Sequence, residues 1–141
     1  MKNLFLGLLL VTSFSAFAQA SVVDQYLEQG LICSQEDFVT TKIYEQLRKD
    51  PTNASLRTKL GKAQAVLVKC VAKAYDFETN DCSSTMDTLF DNGILCSREQ
   101  KLETEALEKV KQNDNASTRA ALQITMAATI KCVMKADKVC N

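Results

Sequence analysis

Gly30-Leu31-Ile32-Cys33-Ser34 and Gly93-Ile94-Leu95-Cys96-Ser97 stand 63 residues apart, identical at Gly, Cys and Ser and aliphatic at the two places between. The agreement extends outward at the same offset. Ser21 meets Ser84, Asp24 meets Asp87, Glu36 meets Glu99, Thr41 meets Thr104 and Glu45 meets Glu108. After a one-residue deletion near Asp50, Asn53-Ala54-Ser55 meets Asn115-Ala116-Ser117, and Arg57 meets Arg119. Lys69-Cys70-Val71 then meets Lys131-Cys132-Val133, and Lys73-Ala74 meets Lys135-Ala136. Two unrelated amphipathic helices would share apolar classes, but not Gly, Cys, Asn and Ser at fixed places. The pattern is that of an internal duplication of a unit of about 60 residues, a period at which helical repeats occur. Repeat 1 is expected over residues 21–82 and repeat 2 over 83–141, packed as one all-α domain.

Each copy is expected to form three helices. Ser21 and Ser84, with Asp24 and Asp87 three residues on, have the capping-box pattern of a first helix. Gly30 and Gly93, each followed by an apolar residue, have the pattern of a left-handed stop. Ser34 and Ser97 are expected to cap second helices, whose apolar stripes are Val39, Ile43, Tyr44 and Leu47, then Leu102, Ala106, Leu107 and Val110. Asp50-Pro51 interrupts the chain, with Pro suited to a first helical position. The third helices run from about Asn53 to Tyr75 and from Asn115 to Lys138. Their apolar arcs are wide enough for burial on two sides, which places them at the centre with the copies packed through them. On the second row of these helices, Gln64, Val68 and Ala72 correspond to the bulkier Met126, Ile130 and Met134. Small against large is the complementarity of a buried seam.

The six cysteines follow the same geometry. In an antiparallel helix hairpin both strands of the hairpin rise by about 1.5 Å per residue, so residues equally far from the turn face one another. Cys33 and Cys70 flank Asp50 in this way, as Cys96 and Cys132 flank Asn113. These are the expected staples, and Cys82 and Cys140 pair by elimination. A thiolate metal or redox site is disfavoured because there is no Cys-x-x-Cys.

Residues 1–20 have the pattern of a cleaved signal peptide: Lys2, the apolar run Leu4 to Val11, and small residues at Ala16, Ala18 and Ala20. The run is far shorter than the roughly 20 residues of a membrane span. Export to the periplasm or the extracellular space is therefore expected, which suits a disulfide framework. Among the 141 residues, 17 basic side chains balance 17 acidic ones, and there is no His. Balance argues against attraction to nucleic acid, and the lack of His excludes His-dependent nucleophilic catalysis and His metal ligation.

Asp76, Glu78 and Asn80 alternate like the start of a calcium loop, but Asp81 stands where Gly is required, and a solvated acidic linker between the repeats is the better reading. Asn53 and Asn115 are formal glycan acceptors that also suit helix capping. Lys69, Lys73, Lys131 and Lys135 complement helix dipoles and offer an anionic partner a basic face. Met126, Ile130 and Met134 offer an adaptable apolar one. The expected function is an exported binding or inhibitory module that acts on another protein without catalysis or cofactor. The alternative is a carrier of a small apolar ligand held between the two repeats.

Overall fold

The computed structural model describes residues 20–141. The expected signal peptide, Ala20 apart, lies outside the described residues. Six helices form in the described chain: α1 (Val22–Glu28), α2 (Ser34–Lys49), α3 (Ala54–Asp76), α4 (Cys82–Asp91), α5 (Ser97–Gln112) and α6 (Ala116–Cys140). The protein is all-helical with three intramolecular disulfides.

Local chemistry sets the helix ends. Ser21 Oγ accepts from the Asp24 amide at 3.0 Å, and the Asp24 carboxylate accepts from the Ser21 amide at 3.3 Å, a capping box for α1. Helices α1 and α4 both stop at a glycine with positive φ, +65° at Gly30 and +66° at Gly93. The amides of Leu31 and Gly30 turn back onto the carbonyls of Tyr26 and Leu27, and Ile94 and Gly93 do the same onto Leu89 and Phe90. This double bond pattern satisfies carbonyls that the helix leaves free, and it buries the apolar residue after the glycine. Leu31 and Ile94 are accordingly 4% and 3% exposed.

The start of α4 departs from the sequence expectation. Asp81, not Ser84, is the N-cap, and its carboxylate accepts from the Ser84 amide at 2.7 Å. Carboxylate and hydroxyl compete for this place on similar terms, and the acidic one lies ahead in the chain. Pro51 likewise lies in the turn before α3, whose cap is Asn53, accepting from Leu56 at 3.0 Å. Asn115 caps α6 through the amides of Ser117 and Thr118.

Helices α2 and α3 form one antiparallel hairpin, and α5 and α6 form another. Cys33–Cys70 staples the first and Cys96–Cys132 the second, each with Cα atoms 6.0 Å apart. Equal distance from the hairpin turn predicts both pairings. Cys82–Cys140 ties the start of α4 to the end of α6. Three disulfides indicate an oxidising, exported environment.

The hairpins do not meet through their long helices, contrary to expectation. They meet at their bases, where the chain after each stop glycine pairs with its counterpart. The Cys33 amide donates to the Ile94 carbonyl at 2.9 Å, and the Cys96 amide to the Leu31 carbonyl at 2.7 Å. Ile32 and Leu95 face each other in this short antiparallel bridge. Cys33 and Cys96 adopt the left-handed conformation, φ 53° and 55°, which costs a side-chain-bearing residue on the order of 1–2 kcal/mol. The bridge, the disulfide and the following helix hold each in place.

The core gathers around this bridge: Val23, Tyr26, Leu31, Ile32, Leu89, Ile94 and Leu95, with the disulfides and Ala74 and Ala136. Helices α1 and α4 both pack on α6. Tyr26 is fully buried, and its hydroxyl donates to the Ala136 carbonyl at 3.4 Å. The acidic linker is less solvated than expected. Glu78 accepts from the Val23 amide in the first turn of α1 at 3.2 Å, where the helix dipole favours a negative charge. Glu78 stands 62 residues before Cys140. In both three-helix sets, then, the end of the long helix is tied to the start of the first helix, by a hydrogen bond in one and by a disulfide in the other.

Candidate functional site

Away from the bridge the hairpins are thinly covered. On α6, Ile124 is 71% exposed, Ile130 57%, Met134 59% and Met126 44%. On α3, Val66 and Val68 are also exposed. The side of α6 that faces inward carries Thr129, Cys132 and Ala136 instead. One turn is 3.6 residues, so Met126, Ile130 and Met134 form a ridge that drifts onto the opposite, outward face. The row expected to be a buried seam is therefore an open apolar surface, because the bridge at the hairpin bases does the joining and leaves the long helices apart.

Lys69, Lys73, Lys131 and Lys135 are all exposed. Lys131 and Lys135 border a shallow depression with Gly30, Leu31 and Glu99. Lys73 lies over the Phe77 ring, 5.4 Å from its centre, a cation–π contact at the end of α3.

A cleft of about 480 Å³ opens at the base of the first hairpin. Leu27, Ile32, Phe38, Leu67 and Val71 form its apolar wall, and Asp37, Arg98 and Glu99 contribute charge. Arg98 comes from the second hairpin and stacks on Phe38, 3.9 Å from the ring centre. Glu99 has one carboxylate oxygen buried without a hydrogen-bond partner. The volume is in the range of small-molecule sites. Sequence reasoning missed this cleft, since it depends on the bridge that sets α5 against α2.

Ionisable groups near the core are tuned by contact and burial. Burial, with the nearby carboxylates Asp137 and Asp87, pushes the Tyr26 phenol up to about 12. The Tyr75 hydroxyl donates to Asp24 and holds its carboxyl below the usual range, aided by Ser21. Glu36 lies within 4.8 Å of the sulfurs of Cys33 and Cys70, but sulfurs spent in a disulfide are not the thiolates that bind metals. Glu36 instead accepts from the Ser97 hydroxyl at 3.3 Å. Among the described residues no helix is long and apolar enough to cross a membrane.

No protein-family model, no curated protein and no solved structure matches this chain.

Proposed function

We propose that the protein is an exported, disulfide-stapled binding module that acts on another protein through the outward face of α6, without catalysis of its own. The observation that carries this reading is the exposure of Met126, Ile130 and Met134 along one ridge of a long helix. Three large apolar side chains left in water along one ridge oppose the hydrophobic effect. Apolar patches of that kind mark interaction sites, and methionines lend such a face adaptability. An amphipathic helix presented in this way reads as anchors for a partner's groove or helix. Lys131 and Lys135 beside it favour a partner with acidic groups at the rim.

We also propose that the two three-helix sets, residues 21–82 and 83–141, are copies of one unit. Supporting this are the paired stop glycines, the left-handed Cys33 and Cys96, and hairpin staples that span 37 and 36 residues. The copies then diverged on the outward face of the long helix, where the second became the more apolar. A carrier site between the repeats at Met126, Ile130 and Met134 fits less well, since an exposed ridge encloses nothing.

Native mass spectrometry of protein purified from its source tests the docking reading. Wild type retains a protein partner, and Ile130→Glu loses it while melting at an unchanged temperature. A wild-type protein recovered alone, or an Ile130→Glu variant that keeps the partner, contradicts it.

A further inference from the structure

The two hairpins carry clefts at corresponding places, and in one of them a side chain of the protein itself occupies the backbone acceptors. In the second hairpin, Gln100 Nε2 donates to the Phe90 carbonyl at 3.0 Å and to the Leu95 carbonyl at 2.9 Å. The space left beside it, lined by Phe90, Gln100, Thr104 and Thr129, is about 260 Å³. In the first hairpin the position of Gln100 is taken by Asp37, and the corresponding carbonyls belong to Leu27 and Ile32. A carboxylate can only accept, so Asp37 cannot bond either carbonyl. That cleft stays open at about 480 Å³.

The open cleft holds acceptors that no side chain of the cleft satisfies. Among the described residues no side chain donates to the Leu27 or Ile32 carbonyl, and the Leu27 oxygen has only the Gly30 amide. Glu99 contributes a buried oxygen without a partner. Two carboxylates, Asp37 and Glu99, line the cleft with one guanidinium, Arg98, which is stacked on Phe38. Behind these groups lie Leu67 and Val71. The side-chain amide of Gln100 shows, within the same molecule, what such a place accepts: a nitrogen that donates to two carbonyls at once.

We propose that the open cleft binds a small amphipathic primary amine. Its ammonium group takes the place that Gln100 Nε2 fills in the other hairpin, between Asp37 and the carbonyls of Leu27 and Ile32. Its hydrocarbon part lies along Phe38, Leu67 and Val71. An ammonium has three donors, which is one for each of these acceptors, and bonds of this charged kind are roughly twice as strong as neutral ones. None of these residues belongs to the α6 ridge, so this site and the docking face stand or fall separately.

The test is a titration of the ¹⁵N-labelled, disulfide-intact protein with hexylamine, hexanol and hexanoate at neutral pH. Hexylamine should give saturable amide shifts at Ile32, Phe38, Leu67 and Val71; hexanol should bind more weakly, and hexanoate should not bind. Asp37→Asn, too short to reach the carbonyls, should weaken hexylamine by about tenfold or more. Asp37→Gln should weaken binding at least as much, by bonding both carbonyls as Gln100 does. Hexanoate binding as well as hexylamine, undiminished binding to Asp37→Gln, or no saturable shift with hexylamine would overturn the proposal.

Discussion

Ser34 and Ser97 each cap the helix that the other begins. Ser97 Oγ accepts from the Gln35 amide at 3.0 Å, Ser34 Oγ accepts from the Arg98 amide at 3.1 Å, and the two hydroxyl oxygens lie 3.4 Å apart. Neither α2 nor α5 has a side-chain cap from its own N-cap residue, which is a cysteine in both cases. Helix initiation in each hairpin thus depends on the presence of the other.

This reciprocity has a measurable consequence. Ser34→Ala and Ser97→Ala should each cost about 1 kcal/mol, as the loss of a helix cap does. The double variant should cost less than the sum of the two, because the residues touch and share partners. Urea unfolding of the three variants checks this, and strict additivity would show that the caps act independently.

Gly30 and Gly93 should tolerate alanine poorly for conformational reasons alone. No atom lies within 4 Å of a Cβ built at either position, yet both have positive φ. Gly30→Ala and Gly93→Ala should each lower stability by about 1–2 kcal/mol. Thermal melts of the two variants should agree, and an unchanged melting temperature would argue against the left-handed stops.

The ridge and the bridge should respond oppositely to truncation. Met134, 59% exposed, and Ile130, 57% exposed, should lose no more than about 0.5 kcal/mol on replacement by alanine. Leu95, fully buried in the bridge, should lose about 2–5 kcal/mol. A Met134→Ala variant as damaged as Leu95→Ala would restore the buried seam.

Tyr26 should make the fold sensitive to alkali. Its folded value of about 12 lies above the ordinary 10.0, so the native state favours the neutral phenol. Stability from this preference is complete below pH 10 and is lost as pH rises from 10 through 12. Ultraviolet titration of tyrosine should show a buried phenol that ionises late and together with unfolding, beside Tyr75, which its bond to Asp24 also raises. Tyr26→Phe should remove that late step. A phenol titrating near 10 for all three tyrosines would contradict the burial.

Much of the local structure was legible in the sequence, because it depends on near neighbours. The stop glycines, the asparagine caps and the hairpin disulfides follow from spacing along one or two helices. What was not legible depends on how the hairpins meet. Ser34 and Ser97 have the sequence of caps for their own helices, but the left-handed Cys33 and Cys96 turn them onto the opposite helix. The apolar arc of α6 has the sequence of a buried centre, and only the bridge at Leu31, Ile32, Ile94 and Leu95 shows that nothing within the described chain covers it. The cleft at Asp37 was hidden for the same reason, since two of its charged groups come from the other hairpin.

Oxidative footprinting of the methionines compares the ridge directly in the free and source-bound protein. Met126 and Met134 are exposed on α6, and half-buried Met86 on α4 serves as the internal reference. In isolated protein, Met126 and Met134 should oxidise well ahead of Met86. In protein recovered from its source under native conditions, both should be protected while Met86 is unchanged. Equal oxidation of Met126 and Met134 in the two preparations would show that no partner covers the α6 face and would contradict the proposed role.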